Sequence, residues 1–262
     1  MKPILLLLTP LFLFAKVHYA KIEPFETITL KSAVSAQVTK ANIKQEGTTL
    51  TATIIKLDDK LDQIKLTSSR ASLQLIENMI QTNEEILMAL SESMQKQEDY
   101  NYRISTIASA SKTQKDNAFY AYTNAKTQYL STQEKIDNLK KQKLDLKFEV
   151  ARLQDSIAKK SIKIKNKFLD KLLVHKGDFV NMGTPLAKLQ DLSRGKLLLF
   201  LESDELKDIK SKHIYIDDKA TKLKISKIWK VTDEKFISSY RTEIILKNPQ
   251  KNFSKLLKVE FK

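Results

Sequence analysis

From about Leu61 to Ile157 the apolar residues recur at alternating intervals of three and four, the spacing that lays one stripe along an α-helix. In the second half the stripe runs unbroken through Ala108, Ser111, Lys115, Ala118, Tyr122, Ala125, Tyr129, Thr132, Ile136, Leu139, Lys143, Leu146, Val150, Leu153 and Ile157. Eleven of these fifteen positions are apolar, which predicts a left-handed coiled-coil seam. The first half carries its own stripe at Leu73, Ile76, Ile80, Asn83, Leu87, Leu90, Met94 and Gln97. A differently phased set, Leu61, Ile64, Ser68 and Ala71, precedes it, and the slip between the two predicts a local change of supercoil.

Two helices with facing stripes and no glycine or proline between Thr48 and Lys176 predict an antiparallel hairpin. Antiparallel pairing requires a constant sum of residue numbers. A sum of 212 joins Leu73 with Leu139, Ile76 with Ile136, Leu87 with Ala125 and Leu90 with Tyr122, and centres the turn near residue 106. Ser111 followed by Gln114 has the form of a capping box, so a helix restarts there. Each arm then has about 45 residues and the hairpin extends roughly 65 to 70 Å at 1.5 Å per residue.

On either side the period changes to that of strands, with threonine, valine and isoleucine in Thr27 to Leu30 and Thr49 to Leu57, and strand signals again from Ser161 onward. The two borders also match each other. Glu46-Gly47-Thr48-Thr49-Leu50 leading to Lys56-Leu57-Asp58 parallels Lys176-Gly177-Asp178-Phe179-Val180 leading to Lys188-Leu189-Gln190-Asp191. Two related halves separated by a hairpin predict one β domain interrupted at an exposed turn.

Composition narrows the function. Only four glycines and five prolines in 262 residues fit long uninterrupted elements, and the absence of cysteine removes disulfides, thiol nucleophiles and zinc–thiolate sites. Residues 1–20 read as an export signal, with Lys2 as the charged start, an apolar run from Ile4 to Phe14 and Ala20 as the cleavage point; an uncleaved signal-anchor is the alternative. Lysine and arginine total 46 against 31 acidic residues, a formal net charge of +15, but the basic residues are spread along the chain and export argues against nucleic acid. His18, His175 and His213 form no metal-like spacing, and Asp58-Asp59 and Asp217-Asp218 are surface charges beside lysines, so neither a catalytic nor a metal site is expected.

The order of half-module, long hairpin, half-module and further strands resembles the HlyD-type membrane fusion proteins, the periplasmic adaptors of tripartite efflux and secretion pumps. Gly177-Asp178-Phe179-Val180-Asn181-Met182-Gly183-Thr184-Pro185-Leu186 is similar to the second lipoyl-like half of that family. Lys196 to Leu206 is similar to the entry into its β-barrel domain, and Tyr240-Arg241-Thr242 ahead of Ile244 to Asn248 to a late barrel strand.

The resemblance implies an α+β fold: a long antiparallel coiled-coil hairpin inserted in a split lipoyl-like β domain and followed by a β-barrel domain. The segments are then 1–20 signal peptide, 21–60 N-terminal strand and first lipoyl-like half, 61–160 hairpin with its tip at about 103–111, 161–191 second half, and 192–262 barrel. Gly47, Gly177 and Gly183 would form the lipoyl-like turns. Arg103, Ile104, Ile107 and Ser111 stand where the family docks its outer-membrane duct, with isoleucine where the family has leucine.

The implied protein is non-enzymatic, periplasmic and inner-membrane associated, without cofactor or nucleic acid. It forms a homo-oligomer with an inner-membrane transporter of RND or ABC type and an outer-membrane efflux duct as partners. Lys60 is not expected to carry a lipoyl group, because a long helix replaces the tight turn such a lysine needs. A periplasmic coiled-coil scaffold or tether is the alternative reading.

Overall fold

A computed structural model of the chain describes residues 16–247, 249 and 253–262. Lys2 and the run Ile4 to Phe14 lie outside the described residues. The strands are β1 (Val17–Lys31), β2 (Ala36–Ala41), β3 (Thr48–Leu57), β4 (Ser161–Leu172), β5 (Phe179–Val180), β6 (Pro185–Glu202), β7 (Ile214–Ile216), β8 (Lys219–Ala220), β9 (Ile225–Thr232), β10 (Ser239–Lys247) and β11 (Leu256–Phe261). Between β3 and β4 come the two helices α1 (Lys60–Thr106) and α2 (Lys112–Lys159). The chain forms two compact units, one from the segments up to Lys56 and from Ile162 onward, the other from Leu57–Ser161.

In the helical unit, α1 has 47 residues and α2 has 48, each about 70 Å long. The stripe of α2 is partly or fully buried at every position from Lys115 to Ile157, with Ala118, Ile136, Leu139 and Leu153 most enclosed. On α1 the expected phase slip does not occur. The buried face continues from Leu73 back through Ser69 and Leu66 to Asp62, while Leu61 and Ile64 are 79% and 57% exposed and Ser68 and Ala71 also face outward. A polar residue thus holds the seam where the apolar ones were expected to. Asp62 is accommodated because Lys160 Nζ lies 3.0 Å away and Ser156 Oγ donates at 2.9 Å. Burial raises the Asp62 carboxyl, but these hydrogen bonds outweigh it and hold the group below its ordinary value. Asn83, also buried, donates to the Met79 carbonyl at 2.6 Å.

The hairpin register differs from expectation by one heptad. Across the hairpin, Lys65 pairs with Glu149, Glu77 with Lys143 and Glu84 with Lys140, and the Tyr122 hydroxyl donates to Glu98, so partners' residue numbers add to between 214 and 224. A sum of 219 lies at the centre of this range and places every seam residue opposite another: Leu66 with Leu153, Leu73 with Leu146, Ile80 with Leu139, Leu90 with Tyr129, Ile104 with Lys115. Because the pattern repeats every seven residues, 212 and 219 are equally compatible with the stripes. The termini decide between them. Ser111 Oγ accepts the Gln114 N–H at 3.2 Å and Gln114 Oε1 accepts the Ser111 N–H at 2.9 Å, which starts α2 at Lys112. Ser105 and Thr106 hydroxyls donate to the Tyr102 and Arg103 carbonyls and close α1 at Thr106, so the turn is centred on residue 109.

In the β unit the strand order is β5-β2-β3-β4-β6-β1-β11-β7-β8, with β10 pairing β6 and β9 pairing β10. The sheet is open, so the expected closed barrel over 192–262 is not formed among the described residues. The path does not return from β8 to β9. Instead Thr221 sends both its N–H and its hydroxyl back to the Ile214 carbonyl, at 2.9 and 2.7 Å. The region still has a core: Leu197, Leu199 and Leu201 alternate inward along β6 and join Ala20, Ile22, Ile214, Ile244, Val259 and Phe261.

Val17 to Ala20, assigned to the signal by sequence, are the first residues of β1 and pair with Glu260 to Leu257 of β11. Ala20, the expected cleavage point, is 2% exposed, and His18 Nε2 lies 2.6 Å from Glu205 Oε1.

Two outcomes test the helical unit. Cysteines at Ile80 and Leu139 should form an intrachain disulfide under mild oxidation, whereas cysteines at Ile76 and Ile136, about 10 Å apart along the axis in this register, should not; non-reducing electrophoresis after proteolysis at the turn reads the result. Glu149 receives hydrogen bonds from Arg152 at 2.8 and 2.9 Å and pairs with Lys65 at 2.9 Å, which pulls its carboxyl from 4.5 down to about 2, Arg152 contributing most. A depressed carboxylate stabilises above its unfolded value and loses that contribution as pH falls through the folded one. Helix melting followed by circular dichroism should therefore weaken between about pH 4.5 and about pH 2, and Glu149→Gln should reduce that acid-dependent loss while lowering stability slightly near neutrality.

Candidate functional site

The tip is built by the two caps. Arg103 lies in the last turn of α1, exposed, and its positive charge complements the helix C-terminus. Ile104 sits on the seam and is half-buried, so it anchors the end of the coil more than it offers a surface. Ile107 follows the helix at 44% exposure, with its N–H on the Ile104 carbonyl at 3.3 Å. Ser111 is exposed, but its side chain is committed to the capping box. Of the four expected tip residues, Arg103 and Ile107 present open chemistry, beside Tyr102 at 70% exposure.

The sides of the hairpin carry apolar residues that the seam does not use. With Leu66 and Leu73 as a positions, Leu75, Met79 and Ile86 fall on c and g of α1, whereas Phe119, Leu130 and Leu144 fall on e and b of α2. All six are between 44% and 67% exposed. The ion pairs fix which flank is which, because Lys65 and Glu149 are both g residues and Glu84 and Lys140 both e residues. The two apolar sets therefore lie on opposite flanks. Phe119 and Tyr120 are off the seam and exposed, and the sequence signal for Leu75, Met79, Ile86, Leu130 and Leu144 lies in the b, c and g positions of the heptad.

In the β unit Gly47, Gly177 and Gly183 all have left-handed backbone, with φ of 75°, 101° and 85°. Each turn reaches into the other half of the repeat. The Gly47 N–H donates to the Leu169 carbonyl at 2.8 Å, the Gly177 N–H to Val38 at 2.9 Å and the Gly183 N–H to Ser32 at 2.8 Å. The Leu172 N–H adds a bond to the Glu46 side chain, donating to its Oε1 at 2.6 Å. The sequence repeat is thus a structural one, two half-modules joined reciprocally. Lys60 is the first residue of α1 and not part of a tight turn. His175 is 71% exposed beside Asp178, and among the described residues no group of three or more histidines and carboxylates could hold a metal ion. No helix among the described residues is long and apolar enough to cross a membrane.

Solved structures share this arrangement over nearly the whole chain. MacA from Actinobacillus actinomycetemcomitans matches with a TM-score of 0.72 and 16% identity, over 94% of this chain and 78% of that one. The membrane fusion protein Spr0693 from Streptococcus pneumoniae R6 gives 0.63 and 10%, over 95% and 99%. A MacA–MexA chimeric protein containing the Pseudomonas aeruginosa MexA α-hairpin domain gives 0.58 and 17%, over 94% and 81%. No family model matches the chain, and no curated protein matches its sequence. At these identities the likeness is one of fold, and the fold is that of the membrane fusion proteins.

The left-handed turns carry a direct test. No atom lies within 4 Å of a Cβ added at Gly47 or Gly177, so alanine there meets only backbone strain. Gly47→Ala and Gly177→Ala should each cost roughly 1 to 2 kcal/mol in denaturant unfolding of the β unit, with hairpin helicity unchanged.

Proposed function

We propose that this chain is an exported, non-enzymatic periplasmic adaptor that links an inner-membrane transporter, of RND or ABC type, to an outer-membrane efflux duct. The observation that carries the reading is the hairpin itself: two helices about 70 Å long ending in a capped turn whose exposed residues the fold does not need. A length of that order adds nothing to the stability of a small β unit and suits a docking arm. In this reading Arg103 and Ile107 meet the duct, Ile104 and Ser111 hold the tip in shape, and the lipoyl-like halves with the later strands surround the transporter's exit.

Homo-oligomerisation is supported by the apolar residues on opposite flanks. One flank of a hairpin meeting the other flank of the next is a heterologous contact, the kind that closes into rings. A periplasmic scaffold with no transported substrate is the second reading, favoured only by the generality of coiled coils.

The double change Arg103→Glu with Ile107→Asp separates the readings. Both sites are exposed, so the main cost is the charge reversal at the helix C-terminus and stability should stay within about 1 to 2 kcal/mol of the parent with helicity retained, while co-purification with the duct and export of substrate should be lost. Normal export by cells carrying the double variant would reject the docking role and leave the scaffold.

A further inference from the structure

A cavity of about 650 Å³ opens in the β unit between the turn that leads into β7 and the segment from β8 to β9. Its floor is apolar, with Ile209 and Ile214 buried and Leu223 and Ile225 half-buried. Around it stand Lys210, Lys212, Lys222 and Lys224, all exposed, and no acidic residue lines it. None of these four ammonium groups has a partner among the described residues. Other lysines of this unit do find carboxylates, Lys207 with Asp204, Lys255 with Asp217 and Lys258 with Asp218. Asp208 is on the turn just ahead of Ile209 but does not line the cavity.

Four unpaired cations around an apolar floor repel one another and attract an anion with an apolar body. Strand register adds a second observation. β1 begins at Val17 opposite Glu260 of β11, and the next residue of β11, Phe261, lies opposite Ile214 of β7. At about 4.8 Å per strand, Val17, which follows the apolar run Ile4 to Phe14 by three residues in the sequence, is about 10 Å from the cavity lining. Lys16 is tied there by Glu202 at 3.0 Å and Ala20 is buried, so the start of β1 packs as part of the β unit. The strand that follows the apolar run in sequence and the four unpaired lysines thus lie on one side of the β unit.

We propose that this cavity is a docking site for anionic lipid headgroups, the four lysines taking the phosphates and the apolar floor the glycerol and upper acyl region. It holds the β unit against an anionic bilayer. The site is independent of the hairpin tip, so a chain whose tip is inert should keep it.

Co-sedimentation of the full chain with vesicles tests this. Vesicles of phosphatidylethanolamine with about 30% phosphatidylglycerol are compared with phosphatidylcholine vesicles, near physiological salt, so that binding through the apolar run is common to both and cancels in the ratio. The ratio should exceed about tenfold for the natural chain and approach unity for Lys210→Glu/Lys212→Glu/Lys222→Glu/Lys224→Glu. Lys96→Glu/Lys112→Glu/Lys135→Glu/Lys141→Glu makes the same change of charge on the hairpin and should retain the preference. If the β variant loses its strand signature in circular dichroism, the corresponding glutamine quadruple replaces it and should also lower the ratio. Three results overturn the proposal: no preference for anionic vesicles in the natural chain, which would assign the lysines to a protein partner; equal loss in the hairpin control; or displacement by about 1 mM inorganic phosphate, which would mark a site for the free anion.

Discussion

A helix of 47 residues without glycine or proline can hide its apolar stripe only along another helix, and the hairpin follows from that constraint. Burying a leucine or isoleucine contributes on the order of 1.5 to 3 kcal/mol, whereas each exposed ion pair along the flank adds at most about 1 kcal/mol. The seam therefore supplies the cohesion and the ion pairs choose among registers. Lys65 with Glu149, Glu77 with Lys143 and Glu84 with Lys140 meet only when the turn is centred near residue 109. The caps enforce that centre chemically, because Ser111 and Gln114 satisfy the free amides of α2 while Ser105 and Thr106 satisfy the last carbonyls of α1.

The β unit solves a different problem, that of joining two segments separated by 105 residues of hairpin unit, Leu57–Ser161. Reciprocal hydrogen bonds from the glycine turns do so, each half supplying donors that the other half needs. Beyond them the sheet ends in edges instead of closing. β5 and β8 are two residues long, β9 pairs with β10 through register shifts, and lysines 219, 227 and 230 sit on the exposed edge strands. Short, irregular and charged edges resist pairing with other chains. They also leave the lysines around the cavity free for a partner.

Function on this scaffold is divided by exposure. Where a side chain completes the fold, as Ile104 in the seam and Ser111 in its cap, it shapes the hairpin tip. Where it does not, as with Arg103, Ile107 and the flank residues Leu75 and Leu144, it is available to another molecule.

By itself the sequence determined the helices, their antiparallel pairing, the cap at Ser111 and the repeat at Gly47 and Gly177, because each depends on contacts within a few residues or on a period that local chemistry expresses. The family resemblance, not a local period, pointed to Arg103 and Ile107 as tip residues. Only the tertiary structure decided the heptad offset, for a seven-residue repeat is blind to shifts of seven and the deciding ion pairs join residues far apart in the chain. It likewise decided that Asp62 and Ser69, not Leu61 and Ile64, face the seam, because Lys160 and Ser156 come from the end of α2 to receive Asp62. Whether the later strands close was equally out of reach of the sequence: closure depends on long-range pairing, and the two hydrogen bonds from Thr221 to Ile214 turn β8 back on β7 where a barrel would need it to reach β9.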